Sequence, residues 1–222
     1  MSSRTSSSAS EQLGFQVLNH LQVIYAEERD EALLGLASEL VEIMRLQQVG
    51  TIPLSHKNDW NEADVIMITY GDSLHQPGKR ALTTLHQFLH EQCEGVINGV
   101  HVLPFFPYSS DDGFSVSDYY KVRASVGEWG DIKKLASEFR LMSDVVINHC
   151  SSESGWFQNF IKGEGVGHDY FYVANPDDDL SQVVRPRTTP LLREVETAKG
   201  VKHVWCTFSH DQVDFDFRNT DV

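Results

Sequence analysis

The sequence predicts an α/β protein with a parallel sheet, because short apolar runs alternate with amphipathic segments along its central part. The runs "DVIMITYGD", "GVHVLPFF" and "MSDVVINHCS" are rich in β-branched residues and end at Gly, Pro or polar residues, as buried strands do. The segments "LTTLHQFLHEQC" and "DIKKLASEFRLM" lie between them and carry apolar residues at helical spacing. A strand–helix–strand–helix–strand order implies right-handed βαβ units.

The first of these strands follows Ala63 and is predicted to be buried on both faces, because its apolar run continues almost to Gly71. The next helix is predicted to bury a stripe of apolar side chains: Leu82, Leu85, Phe88 and Leu89. The second strand should cover 100–103 and stop at Pro104. Asp131 is the predicted N-cap of the second helix.

A helical pattern precedes the predicted sheet, and residues 11–62 are predicted to form a helical extension. Apolar residues recur there at spacings of three and four: Leu33, Leu36, Leu40 and Ile43. The helices should end near Gly50 and Pro53. Residues 1–10, "MSSRTSSSAS", are Ser-rich and lack the apolar core of a secretory signal, so a disordered tail is expected.

The pattern loosens over residues 150–222. The stretch "SSESGWFQNFIKGEG" predicts one or two helical turns, and "NPDDDLSQ" predicts a polar turn region. The stretches "HVWCTF" and "QVDFDF" alternate between apolar and polar residues, which is typical of strands. A small antiparallel excursion is therefore predicted after the third strand.

Composition excludes several classes of partner. The chain has 222 residues, is 41% hydrophobic and carries a formal net charge of −14. That charge argues against nucleic acid and anionic membrane surfaces, since both call for a basic face. It leaves room for a small anionic substrate, because a few arginines can bind one phosphate or carboxylate.

The three cysteines, Cys93, Cys150 and Cys206, lie far apart and form no CxxC pair. A disulfide framework or a zinc site is therefore not predicted, and we interpret them as reduced thiols of a cytoplasmic protein. The sequence indicates no other metal cluster. No apolar run reaches the roughly 18 residues that a membrane span needs.

Polar residues follow the second and third strands, at the ends where parallel α/β sheets carry their chemistry. Asn148 and His149 come after the third apolar run, and Asp111, Asp112 and Phe114 lie in the loop after the second strand. A carboxylate, an imidazole and an aromatic ring at one rim suit a sugar, which has rows of hydroxyls and apolar C–H faces. Taken singly, a His at a strand end is more often structural, and Asp-Gly is usually a turn.

Strand alternation places Asn148 and His149 on opposite faces if the strand runs through both. We therefore assign His149 to the cavity and Asn148 to holding the loop. Asp144 falls on the Asn148 face and needs a polar partner there.

These residues lie within motifs that resemble the α-amylase superfamily, glycoside hydrolase family 13. "DVVINH" resembles its first signature, and "DGF" with a downstream "DY" resembles its second-strand region. "GVHVLPFF", "NHCSSESGWFQ", "RPR", "VWCTF" and "QVDFDF" follow in the order of the branch that contains sucrose phosphorylases and glucosylglycerate phosphorylases. The resemblance covers roughly residues 60–222, and the helical extension resembles that of the phosphorylases of glucosylglycerate and glucosylglycerol.

The resemblance implies a partial (β/α)8 TIM barrel. Residues 63–149 would form its first three strands, and residues 150–222 would form an inserted B domain, with the chain ending before the fourth strand. Three strands alone leave an open hydrophobic edge, so we expect the isolated chain to be marginally stable and inactive.

The resemblance also assigns substrate contacts. The matching family positions bind the glucosyl ring, form an aromatic wall or close over the sugar, and here they are Asp111, His149, Phe114, Phe208 and Gln212. Arg187 in "RPR" matches an arginine on the acceptor side, where a guanidinium would bind phosphate or an acidic acceptor. The alternative interpretation is that Arg187 is a solvent-exposed loop residue without a role in binding.

The implied activity is that of a retaining glucoside phosphorylase, a glycosyltransferase that uses inorganic phosphate as co-substrate and needs no cofactor or metal. In this interpretation the nucleophile and the acid/base lie outside these residues. Val184 stands where sucrose phosphorylases have a Tyr before "RPR", which argues against sucrose as the substrate. Two alternatives stay open: a fragment of an α-glucosidase or transglucosylase, and a noncatalytic carbohydrate-binding or partner-binding module. The oligomeric state is open.

Overall fold

The computed structural model describes residues 4–44, 61–185 and 187–222. It forms two compact units, which divide between Asn61 and Glu62, one residue from the predicted boundary. The predicted helix ends at Gly50 and Pro53 lie outside the described residues.

The first unit is a helical hairpin of α1 (Arg4–Ile24) and α2 (Asp30–Ile43). Its small core contains three buried residues, Leu21, Leu33 and Ala37, with Val17, Leu18, Leu36 and Leu40 packed around them. Ile43, which follows the helical spacing of the other apolar residues, is the last residue of α2 and is 68% exposed.

The predicted disordered tail at residues 1–10 differs from the structure, in which α1 already includes residues 4–10. In a helix, serine is less favourable than alanine by roughly 0.5 kcal/mol per residue. This cost is small, so a Ser-rich stretch can extend a helix that begins close by.

The second unit contains a parallel sheet of β1 (Ile66–Thr69), β2 (Gly99–Val102) and β3 (Arg140–Ser143), in the order β1-β2-β3. The strands are joined by α3 (Ala81–Cys93) and α4 (Trp129–Glu138). The predicted βαβαβ order and parallel pairing are confirmed by this topology.

The two faces of the sheet have different surroundings. Val100 and Val102 are fully buried in a core that also contains Leu82, Leu85 and Leu135 from α3 and α4. On the opposite face, the large apolar side chains are exposed: Ile66, Ile68 and Met142. The prediction that β1 is buried on both faces is therefore wrong for this structure, because α3 and α4 pack on one face.

The third strand lies earlier than predicted. β3 ends at Ser143 because it pairs with Val102, the last residue of β2, and Pro104 soon follows there. The apolar run expected to form the buried strand continues beyond it, and Val145 and Ile147 are 75% and 59% exposed. The chain becomes extended again only at β4 (His149–Ser151), which belongs to another sheet.

Helix predictions were accurate in position but not in every residue. Leu82, Leu85 and Leu89 of α3 are buried as predicted, whereas Phe88 is 38% exposed. Helix α4 starts three residues earlier than expected, with Glu128 as its N-cap, and it ends at Glu138. Residues 140–142, which were predicted to belong to this helix, form part of β3. Asp131 is instead the third helical residue of a capping box, and its carboxylate accepts the Glu128 backbone N–H at 3.0 Å.

A second core follows β4. It is built by α5 (Gly155–Lys162), β5 (Leu192–Thr197), β6 (Gly200–Trp205) and β7 (Gln212–Asp214). β4 pairs antiparallel with β7, and β5 pairs antiparallel with β6. The sequence predicted the helix and the strands at β6 and β7, but it did not predict β5. The core contains seven buried residues: Cys150, Phe157, Phe171, Val195, Val204, Cys206 and Val213.

The three cysteines are buried, unbridged thiols. Burial raises the pKa of the Cys150 and Cys206 thiols to about 12, so both stay protonated near neutral pH. Among the helices of the described ranges, none is both long enough and apolar enough to cross a bilayer.

We expect Leu82→Ala to lower the free energy of unfolding of the second unit by about 2–5 kcal/mol, since Leu82 is fully buried and truncation leaves a cavity between α3 and the sheet. Urea titration followed by circular dichroism measures the change. Val96→Ala is the control, because Val96 is 67% exposed and its truncation should cost less than about 0.5 kcal/mol. Equal effects of the two substitutions would contradict this description of the core.

Candidate functional site

The candidate site is positioned by the pairing of β4 with β7. His149 pairs with Asp214 and Ser151 pairs with Gln212. His149, Asp214 and Gln212 therefore share one face of this two-stranded sheet, since side chains alternate along a strand. The pairing brings together residues that lie more than sixty positions apart in the sequence.

Gln212 joins two segments that the sequence assigned to one rim. Its Nε2 donates to Asp111 Oδ2 at 2.9 Å and to the Phe114 carbonyl at 3.3 Å, and it lies 3.2 Å from His149 Nε2. Asp111 and His149 thus contact the same amide group, and the shared rim on which the sugar interpretation depends is present in the structure.

The contacts of His149 define its protonation. Its Nε2 lies 2.9 Å from the Phe114 carbonyl oxygen, so we assign the ring hydrogen to Nε2. Its Nδ1 then accepts a hydrogen bond from Asn148 Nδ2 at 3.3 Å. The approach of Gln212 Nε2 to His149 Nε2 is in that case a contact between two donors. Burial lowers the pKa of His149, although the Phe114 carbonyl, Asp214 and Asp111 oppose the shift, so the ring is neutral near pH 7.

Asp111 projects from a tight turn. A 3₁₀ turn covers Asp111–Gly113, and Asp111 and Asp112 adopt left-handed φ values of 56° and 49°. Gly113 has a φ of 107°, and a Cβ there would lie 2.9 Å from the Pro104 carbonyl oxygen, so this position requires glycine. The turn leaves the Asp111 carboxylate exposed to solvent, with one oxygen fixed by Gln212.

Aromatic surface lies beside these polar groups. The Phe208 ring is tilted by 56° against the His149 ring, with 5.1 Å between their centroids. Phe114 is half-buried, and its carbonyl accepts from both His149 and Gln212. The rim therefore combines a carboxylate, a neutral imidazole, an amide and phenyl rings, which together can bind hydroxyl groups and an apolar ring face.

Asn148 and Asp144 lie in different surroundings. Asn148 Nδ2 donates to Asp214 Oδ2 at 3.0 Å, and its carbonyl accepts the Phe215 N–H at 3.0 Å, so both contacts join the β4 and β7 segments. Asp214 also accepts the Thr207 N–H at 3.1 Å. Asp144 pairs with His101 Nε2 at 2.9 Å, and this pair lies at the carboxyl end of the parallel sheet.

Asp211 is central to the rim, and sequence reasoning missed it. Its carboxylate accepts hydrogen bonds from four serine hydroxyls: Ser109, Ser110, Ser115 and Ser152. Burial alone would raise the pKa of Asp211, but the four hydroxyls outweigh it and hold that pKa below its ordinary value. A Ser-rich loop after the second strand was the available signal, but nothing local in the sequence relates it to residue 211.

Arg187 is not part of the hydrogen-bond network described above. It is exposed in the described part of the chain, and the contacts around His149 do not include it. The neighbouring Arg185 instead donates from Nη1 to the carbonyls of Cys206 and Thr207, at 3.3 Å each, and so supports the backbone that leads to Phe208.

A depression of about 270 Å³ is lined by Tyr70, Asp72, Pro104, Tyr108, Asp112 and Arg123. Arg123 pairs with Asp72 and donates to the Tyr108 hydroxyl at 3.0 Å. These contacts hold the ends of β1 and β2 together. Among the side chains that the structure describes, no group of three or more His, Cys, Asp or Glu is arranged to bind a metal ion.

Comparison with known families agrees with this geometry. The model of the catalytic domain of α-amylase matches residues 94–222. The chain belongs to this family. The match includes β2, β3 and the entire rim described above.

Two curated relatives of this chain are glucosylglycerate phosphorylases. The chain is 43% identical over 216 residues to the glucosylglycerate phosphorylase of Allomeiothermus silvanus. This alignment covers 97% of the present chain and 38% of the Allomeiothermus silvanus protein. The chain is also 49% identical over 173 residues to the glucosylglycerate phosphorylase of Spirochaeta thermophila. That alignment covers 78% of the present chain and 28% of the Spirochaeta thermophila protein.

A solved relative is the sucrose 6F-phosphate phosphorylase from Thermoanaerobacter thermosaccharolyticum. Its crystal structure superposes with a TM-score of 0.63 at 30% identity, covering 72% of this chain and 35% of that chain. The α-amylase family chain described here therefore spans less than two fifths of the length of each of these relatives.

We expect the His149 ring to titrate below pH 6.5, its ordinary value, because burial disfavours the imidazolium. Since the folded pKa is lowered, the unfolded state binds more protons as the pH falls through 6.5, and the folded state loses stability there. Proton chemical shifts of the histidine rings measured against pH give the pKa, and His149→Gln assigns the signal. A midpoint at or above 6.5 for His149 would contradict the assigned environment.

Proposed function

We propose that this chain is the amino-terminal part of a retaining glucoside phosphorylase, which transfers a glucosyl group from a glucosylglycerate-type or glucosylglycerol-type glucoside, or from sucrose, to phosphate. The observation that carries the proposal is the rim in which Gln212 Nε2 donates to Asp111 and lies 3.2 Å from His149 Nε2, beside the Phe208 ring. The similarity to glucosylglycerate phosphorylases supports the same reaction class.

The domain assignment follows from the two cores of the second unit. We assign residues 63–149 to the first three strands of a (β/α)8 barrel and residues 150–222 to an inserted B domain. The parallel sheet with α3 and α4 has its own core, and α5 with the antiparallel strands has another, which supports this division. The exposed face with Ile66, Ile68 and Met142 would be the interior face of the closed barrel.

The rim would form the donor subsite. The exposed Asp111 carboxylate accepts hydrogen bonds from sugar hydroxyls, and the Gln212 amide keeps its orientation. The neutral His149 ring can offer its Nε2 hydrogen to a hydroxyl once it leaves the Phe114 carbonyl. Phe114 and Phe208 supply apolar surface for the C–H faces of the ring. These groups fix the glucosyl ring rather than break its bond.

The covalent chemistry requires two further carboxyl groups. A retaining mechanism needs a nucleophile and a general acid/base about 5–5.5 Å apart. Asp214 is buried and accepts from Asn148 and Thr207, and Asp216 pairs with Arg218, so both are engaged in structural contacts. In this proposal the nucleophile and the acid/base belong to a part of the protein beyond these 222 residues.

The acceptor side favours glycerate over fructose. Arg187 is exposed and would be available for phosphate or for the carboxylate of glycerate. Val184, which replaces the tyrosine of sucrose phosphorylases, is 96% exposed and offers no hydroxyl to a sugar acceptor. The similarity to the Allomeiothermus silvanus protein also extends over 97% of the chain, including the helical hairpin.

Other properties follow from the same proposal. Phosphate is the co-substrate, and no cofactor or metal is required. The net charge of −14 is compatible with small-molecule substrates rather than nucleic acid or membrane partners. Three unbridged cysteines support a cytoplasmic location.

We expect the full-length protein encoded by the intact reading frame to release glucose 1-phosphate from glucosylglycerate, and less efficiently from glucosylglycerol and sucrose. A phosphorolysis screen with and without phosphate measures this. Glucose release that does not depend on phosphate would favour the α-glucosidase or transglucosylase alternative. Absence of any turnover, together with binding of a glucoside, would favour a noncatalytic module.

We expect His149→Ala in the same full-length protein to lower kcat/KM for the glucoside by about 10²-fold, because a displaced glucosyl ring no longer meets the reacting groups. Initial rates of glucose 1-phosphate release measure the effect. His90→Ala, on the exposed side of α3, is the control and should retain the parent rate. An unchanged kcat/KM in His149→Ala would remove His149 from the donor subsite.

A further inference from the structure

The Asp211 carboxylate joins three segments that are far apart in the sequence. Ser109, Ser110 and Ser115 of the loop after β2 donate to its Oδ2, and Ser152 after β4 donates to its Oδ1 at 2.7 Å. Its backbone carbonyl accepts the Ser152 N–H at 2.8 Å.

The hydrogen bonds to this carboxylate are concentrated on one oxygen, since Oδ2 accepts from three serines and Oδ1 from one. An ionised carboxylate can accept about four hydrogen bonds, and Asp211 accepts four from serine hydroxyls. Ser115 is completely buried, and so is Ser151, whose hydroxyl lies 2.6 Å from that of Ser109. Removing the carboxylate would take an acceptor from all four hydroxyls, and the buried Ser115 hydroxyl would keep only the Asp211 backbone carbonyl, at 3.2 Å, as its acceptor, which is costly for the folded state.

Each of the three segments carries part of the rim. Asp111 and Phe114 lie inside the loop 109–115, His149 is two residues before Ser151, and Gln212 follows Asp211 directly. We infer that Asp211 is a positioning residue for the donor subsite, which holds the loop of Asp111 and Phe114 in register with His149 and Gln212. This inference rests on the proposed function, since it names the residue that assembles the site used by that reaction.

The geometry favours a carboxylate over an amide at this position. Asn has a single acceptor oxygen, and its NH₂ group donates, so it cannot accept all four hydroxyl hydrogens. Ser hydroxyls can rotate to accept from the amide instead, so Asp211→Asn should keep part of the arrangement. The serine hydroxyls hold the pKa of Asp211 below its ordinary value, which keeps the group ionised at neutral pH.

The test compares Asp211→Ala and Asp211→Asn with Asp131→Ala in the full-length protein. Asp131 is a matched control because it also accepts several hydrogen bonds, from the Glu128 N–H, Thr83 and Arg80, but it caps α4 away from the rim. Two measurements are made: amide hydrogen exchange and kcat/KM for the glucoside, both well below the unfolding temperature of every variant.

We expect Asp211→Ala to increase exchange together at the amides of Phe114, Ser151 and Gln212, which bond to the carbonyls of Asp111, Val116 and Ser209. We also expect kcat/KM to fall by about 10²-fold, with partial recovery in Asp211→Asn. Asp131→Ala should increase exchange at the start of α4 and leave kcat/KM within about threefold of the parent.

Two results for Asp211→Ala would overturn the inference. One is amide exchange that rises only next to residue 211, and the other is a loss of kcat/KM no larger than that of Asp131→Ala. If the unsubstituted full-length protein shows no phosphorolysis, the proposed function fails, and the exchange pattern then decides alone whether Asp211 assembles the rim. If Asp211→Ala does not fold, Asp211→Asn is judged by the same two criteria.

Discussion

The architecture of the site depends on one short antiparallel pairing, that of β4 with β7 over residues 149–151 and 212–214. This pairing closes a connection of about sixty residues, and closing such a loop costs entropy that grows only slowly with its length. Burial of Cys150, Val213 and Phe157 in the second core offsets that cost. With the pairing formed, Gln212 lies beside His149 and within reach of Asp111, so a purely structural contact creates the rim.

The groups of the rim are held in position before any ligand is present. Gln212 donates to one oxygen of Asp111, and the Phe114 carbonyl accepts from His149. The Asp214 carboxylate accepts hydrogen bonds from Asn148 and Thr207. These hydrogen bonds give partners to buried groups of the rim, as a low-dielectric environment requires. A ligand hydroxyl therefore meets groups whose orientation has already been set, which reduces the entropy lost on binding. The exposed Asp111 carboxylate is the part of the network left open to a ligand.

The predictions that were wrong depended on which elements pack or pair with a segment, and a local sequence pattern does not contain that information. The continuous run ending at Gly71 resembles a strand buried on both faces, yet Ile66 and Ile68 are exposed because α3 and α4 pack on the other face. The run Val145–Ile147 has a strand composition, but β3 ends at Ser143 together with its partner β2. The N-cap assignment of Asp131 failed differently, since the capping box places an acidic residue at the third helical position as readily as at the cap.

Local periodicity in the sequence predicted the helices, the first two parallel strands and the alternation of strands with helices, because apolar spacing of two or 3.6 residues is set within about a dozen positions. The ends of the predicted strands indicated Asp111 and His149, whereas family motifs alone indicated Phe208 and Gln212. Tertiary structure alone decided that Asp211 joins the rim segments and that one sheet face is exposed. Those features arise from contacts between residues up to a hundred positions apart, whose meeting depends on strand pairing and register, which no local pattern encodes.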